Sequence, residues 1–200
     1  MKQIKSWIKA GLMAIAVLFA IAVGLAIYAR SLPPVHQHCI KAAGFALMSY
    51  AADHAGAYPV HTNGFGDAIA LLVAEEYDDG RHFVGVGDDA TWLRAAVTNK
   101  TDVHEELCTR IYVPGLNESQ YGLAVLFDRY AVRGGDHHRE MRGQPYLREV
   151  LMADGSMNTI TLDRWPAFAS NQVQMLVQAG IPRAMAEAYY RPTLDPNAKR

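Results

Sequence analysis

Residues 10–29 are uncharged and almost wholly apolar, with Lys2, Lys5 and Lys9 before them and Arg30 after. At about 1.5 Å rise per residue, such a run spans the roughly 30 Å hydrocarbon core of a bilayer as one helix. A helix satisfies its backbone polar groups internally, so a single segment can cross lipid alone. Lysines ahead of the run predict a cytoplasmic N-terminus over residues 1–9 and export of everything after Arg30, at a single-pass inner membrane. A cleaved signal peptide would have a shorter apolar region and a small-residue cleavage site. Ile27-Tyr28-Ala29 matches that site only in part, so an uncleaved anchor is the predicted form.

Beyond the anchor the pattern changes from continuous to periodic. Residues 30–36 hold Pro33-Pro34, which ends any helix and reads as a linker. From residues 37–39 onward, Ile40, Ala43, Leu47, Tyr50 or Ala51, and His54 recur at helical spacing, with Gly56 as terminator. Residues 68–76 predict a helix with Ile69, Leu72 and Val73 inward, and a short helix carries Trp92, Leu93, Ala96 and Val97 with Asp89 as its cap. Residues 77–89, rich in glycine and aspartate, predict a loop. Residues 110–113 and 121–127 are strand-like, and residues 129–144 predict a long exposed loop. Residues 149–152 and 157–160 flank Asp154-Gly155, the preferred two-residue hairpin turn with φ > 0 at both central positions. A helix capped by Asp163 and ending at Gly180, then one from Pro182 to Tyr190, complete an exported domain over residues 37–190. Residues 191–200 are predicted to be a disordered tail. One long helix followed by late antiparallel strands predicts an α+β fold, the helix packed on the sheet and short helices at the C-terminal end.

Charge excludes some functions. With 19 Lys+Arg against 20 Asp+Glu, the chain carries a formal charge of −1 and no basic stripe, so no nucleic-acid partner is predicted. Cys39 and Cys108 are the only two cysteines. In an exported compartment they are a candidate disulfide, whose long loop would contribute about 4 kcal/mol in the chain-entropy model, the alternative being two unpaired buried thiols.

Several polar groups are candidate ligands. Asp136, His137, His138 and Glu140, with Asp154 brought near by the hairpin, form the densest cluster and could hold a divalent cation such as zinc. Asp78, Asp79, Asp88 and Asp89 offer oxygen ligands of the kind calcium takes, without the EF-hand spacing. His36 and His38 make at most half a metal site. His104 and Cys108, four apart, form a thiol–imidazole pair only if that segment is helical, whereas residues 111–113 read as strand. No serine sits in a G-x-S-x-G elbow, and neither a P-loop nor H-E-x-x-H occurs. A non-enzymatic protein with no catalytic residues is therefore predicted.

Three blocks, in this order, resemble the pilin-like (type II secretion pseudopilin-like) proteins of the planctomycete type. The first is Cys39-Ile40-Lys41-Ala42-Ala43-Gly44-Phe45-Ala46-Leu47 with Tyr50-Ala51, Asp53, Gly56 and Tyr58-Pro59, similar to a cysteine-led helix ending in a Y-A-x-D-x-x-G-x-Y-P pattern. The second, Tyr112-Val113-Pro114-Gly115-Leu116, is similar to the family's Y-V-x-G-L strand. The third is Asp136-His137-His138 followed by residues 150–157, Val-Leu-Met-Ala-Asp-Gly-Ser-Met, similar to the histidine and D-G hairpin of the processing-associated domain. The resemblance implies a pilin-like head, a secretion-related or scaffolding role, and other envelope or secretion proteins as partners beside the bilayer. It does not extend to prepilin processing: Gly11 is followed by Leu12, and no glutamate lies in the apolar run. An anchored metal-binding protein or metal-dependent enzyme using Asp136, His137, His138 and Asp154 is the alternative expectation.

Overall fold

A computed structural model describes residues 21, 23, 40–60, 64–83, 91–99, 105, 108–133, 135–136, 139–140 and 144–194. The chain divides into two units, Met1–Pro34 and Val35–Arg200. In the first, Ile21 and Val23 are helical and exposed. The rest of the predicted anchor over residues 10–29 lies outside the described residues, among which no helix is long and apolar enough to cross a membrane.

The second unit is α+β. Helix α1, Ile40–Asp53, buries Ile40, Ala43, Gly44, Ala46, Leu47, Tyr50 and Ala51, the three-to-four spacing of one helical face. It ends where Ala55 and Gly56 take positive φ (54° and 82°) and the Gly56 amide closes on the Ala51 carbonyl at 2.7 Å. Helix α2, Phe65–Ala74, starts three residues before its predicted beginning. Gly64 offers no side-chain cap, and the Gly66 amide instead donates to the Glu105 carboxylate at 2.9 Å, a cap supplied from 39 residues away. Phe65 is buried with it. Helix α3 is Thr91–Asn99.

The sheet is antiparallel throughout. Strand β1, Arg110–Tyr112, pairs with β2, Ala124–Asp128, and β2 pairs with β6, Tyr146–Met152. Strand β7, Met157–Thr161, pairs with β6 from Leu147 to Leu151, and so takes the edge of β6 opposite β2. The stretch predicted as one long exposed loop is corrected in part. Val132–Arg133 form β3, which continues the edge of β2 along β6, and Gly135–Asp136 (β4) pairs with Arg139–Glu140 (β5) as a separate ribbon. The β6–β7 connection is also corrected. It runs over residues 153–156, and only Gly155 has positive φ (79°). Asp154 acts as an acceptor for the Ser156 amide and hydroxyl, at 2.9 and 2.6 Å, so its side chain rather than its own φ shapes the turn.

Alternation along the strands sorts the core into two faces. Leu126 and Leu151 are partners in register and face α1; a Cβ on Gly44 would come within 3.1 Å of Leu151, so the glycine lets the helix backbone approach β6 closely. Phe127 and Val150 face the other way. There Phe127 stacks on Tyr190 at 4.6 Å and packs near Trp165 at 5.7 Å. These belong to α4, Trp165–Gln178, and α5, Arg183–Tyr190. The sheet is thus covered on both faces, and β1 and β2 are buried along their whole length. A 3₁₀ turn, Arg191–Thr193, follows α5, and Thr193 is buried; the remainder of the predicted tail, residues 195–200, lies outside the described residues.

Thr193 locks this end to the sheet. Its hydroxyl accepts the Trp165 indole N–H at 2.8 Å and donates to the Tyr190 carbonyl at 2.6 Å, while its own carbonyl accepts Arg148 Nη2 at 3.0 Å. Arg148 is fully buried on β6, also donates to the carbonyls of Asp128 and Arg129, and lies 5.0 Å over the Trp165 ring. Burial pushes its guanidinium down to about 10, opposed by the charge of Asp128.

Candidate functional site

The turn after α2 is built for a tight reversal. Glu76 takes φ 64°, a left-handed position usual for glycine, and the Tyr77 amide returns to the Leu72 carbonyl at 2.9 Å. Gly80 has φ 85°, and a Cβ there would meet Leu93 Cδ2 at 2.5 Å, so the turn presses against α3. The consequence is that Asp78, Asp79 and His82 project together into a groove of about 690 Å³ between this turn and α1, walled by Phe45, Ser49 and Val73 and closed at one end by Arg94.

Asp78, almost wholly buried, accepts the Gly80 amide at 2.6 Å and lies 2.5 Å from His82 Nδ1. A carboxylate only accepts, so the proton on this contact sits on Nδ1. Asp79 accepts the Arg81 amide at 3.1 Å and is ion-paired to the guanidinium groups of Arg81 and of Arg94, the latter at 3.4 Å. Partial burial pushes the Asp79 carboxyl up, but the Arg81 hydrogen bonds and the two cations outweigh it and hold the group below the ordinary carboxylate range. The ligand atoms of Asp78, Asp79 and His82 all lie within 4.8 Å of one another. Two oxygens and an imidazole suit a divalent cation, while the same groups already have protein partners in the turn.

The structure places the sequence candidates differently. Asp78 and Asp79 come together, joined by His82, which sequence reasoning missed; its signal was the i, i+4 spacing from Asp78 across Gly80. Asp88 and Asp89 lie outside the described residues, as do His36, His38, Cys39, His104, His137 and His138. Asp136 is in β4 and Glu140 in β5. Asp154 is engaged at its own turn, where the Ser156 hydroxyl and amide lower its carboxyl. Cys108 is fully buried, its amide donating to the Glu105 carbonyl at 3.1 Å.

A second feature beside the groove is an aromatic cluster at the end of α1. His54 stacks on Tyr50 with ring centroids 3.8 Å apart, and its Nε2 is 3.7 Å from Glu75. Tyr77 donates to Asp53 at 2.7 Å, which holds its hydroxyl protonated up to about 12.

Comparison of the chain with protein-family models, curated proteins and solved structures finds no match.

Proposed function

We propose that this chain is a membrane-tethered, exported protein with a pilin-like head, acting in secretion, surface structure or scaffolding through protein contacts and without catalysis. The observation that carries this reading is that the three sequence blocks behind the resemblance meet in space. Tyr58, from the end of the first block, donates to the Ala153 carbonyl of the third at 2.7 Å. Tyr112, from the second, donates to the Pro59 carbonyl of the first at 2.6 Å. The spine helix between them lies on β6 and turns Phe45 and Met48 outward, 68% and 44% exposed, where a partner could cover them. Residues 10–29 supply the tether, and the exported position makes the head available to envelope partners.

Membrane fractionation tests the reading, combined with protease treatment of cells whose outer layer has been opened. The full-length chain should sediment with membranes, leave them only with detergent, and lose its head to added protease while the inner membrane is intact. Recovery of uncleaved chain in the soluble fraction without detergent overturns the proposal.

A second reading, an anchored metal-binding protein, draws support from Asp78, Asp79 and His82; His137 and His138 of the cluster expected with Asp136 and Asp154 lie outside the described residues.

A further inference from the structure

A second concavity lies in the layer on the opposite face of the sheet, between α4 and α5. It encloses about 370 Å³, toward the lower end of small-molecule sites. Its interior is apolar. Ala169 and Val173 of α4 are buried along one wall, the Tyr190 ring forms another, and Leu194 stands at the lip with half its surface exposed.

The polar groups around this interior are unequal in sign. Arg183 and Glu187 face each other at 3.6 Å as an i, i+4 pair and cancel. Arg191 remains, with no ion-pair partner among the described residues, and gives the rim one net positive charge. Pro166 brings one end of the groove to the N-terminus of α4, the positive end of its dipole. Tyr190 is 1% exposed, and its hydroxyl has no hydrogen-bond partner among the described residues.

We propose that this groove binds a small amphipathic carboxylate, its apolar body against Ala169, Val173 and Leu194 and its carboxylate paired with the Arg191 guanidinium. A cation is disfavoured by the rim charge. A wholly apolar ligand would leave Arg191 without a role, and the volume suits a ligand of few heavy atoms. The assignment is independent of the tether and of the α1 groove.

Calorimetric titration of the full-length protein, held in a nonionic detergent, tests it with 4-phenylbutyrate as the probe and 4-phenylbutanamide as its uncharged control. Arg191→Gln removes the charge, and Ser170→Trp, on the exposed rim, blocks the groove without touching the core. The butyrate should bind saturably, the amide and the Arg191→Gln protein should each show affinity weaker by about tenfold, and Ser170→Trp should abolish binding. Absence of saturation by the wild-type protein up to about 10 mM overturns the proposal. So does equal binding of butyrate and amide, and so does butyrate binding unaltered in either variant.

Discussion

Arg110 Nε lies 3.4 Å from Asp128 Oδ1, and both side chains are excluded from solvent between β1 and β2. The pair does more than neutralise itself. Arg110 also donates to the His82 carbonyl at 2.5 Å, so the sheet holds the turn that carries Asp78 and Asp79. Asp128 Oδ2 accepts the Glu149 amide at 2.8 Å, and the Asp128 carbonyl accepts Arg148. The Asp128 carboxylate thus pairs directly with Arg110 and reaches Arg148 only through its charge, the hydrogen bond to Arg148 coming from the carbonyl.

Removing that carboxylate should be costly out of proportion to its size. Asp128→Ala removes the carboxylate paired with buried Arg110 and the charge that opposes the desolvation of Arg148, and should destabilise the fold by about 3–5 kcal/mol. The change is read from urea unfolding. A loss below about 1 kcal/mol, the range of exposed ion pairs, would mean the two arginines are not held as described.

Glu76 offers the opposite case, a position where the sequence is worse than it could be. Its φ of 64° costs an L side chain energy that glycine avoids. Glu76→Gly should raise stability by about 0.5–1 kcal/mol in thermal or denaturant unfolding. Gly80→Ala, in the same turn, should lower it by about 1–3 kcal/mol, because the new Cβ meets Leu93 at 2.5 Å from a backbone with φ 85°.

Alkaline pH should weaken the fold through its buried phenols. Burial, then the charges of Glu118 and Asp154, push Tyr58 from its ordinary 10 up to about 12. Burial moves Tyr112 and Tyr190 in the same direction. An acid whose folded value is raised keeps its full contribution below the unfolded value and loses it as pH climbs toward the folded one. Stability should therefore fall between pH 10 and about 12. Tyr58→Phe should flatten part of that slope, with tyrosinate absorbance and unfolding followed on the same samples.

The Asp78–Asp79–His82 cluster should behave as a structural knot. Each carboxylate already has protein donors, and two arginines neutralise Asp79. Chelator should leave the melting temperature unchanged, and added zinc should not raise it. A rise with zinc that His82→Ala removes would establish a cation site and favour the metal-binding reading.

Periodic elements were legible because burial alone decides them. Ile40, Ala43, Leu47 and Tyr50 or Ala51 of α1 read directly as one stripe and are buried, whereas His54, read into the same stripe, lies past the helix end and is exposed. The last helix ran to Tyr190 as expected. What escaped depended on distant partners. The start of α2 is fixed by Glu105, and no local pattern announces a carboxylate arriving from 39 residues away. No local pattern marks Arg110 and Arg148 as core residues; strand pairing buries them beside Asp128 and Thr193. His82 was missed for a similar reason: the reversal at Gly80 returns it to Asp78, while the loop composition suggested only exposure. Strand β3 was hidden because two residues beside Gly134-Gly135 carry no alternation to detect.

The Thr193 lock has a consequence for how the molecule comes into being. Synthesis runs from N- to C-terminus, so Arg148 and Trp165 emerge well before the carbonyl and hydroxyl that complete their hydrogen bonds. Until α4, α5 and Thr193 leave the ribosome, one side of the central sheet stays uncovered and the Arg148 guanidinium incompletely coordinated. Completion of this core is therefore timed by residues 190–193 rather than by the α1 spine, which is made well before them.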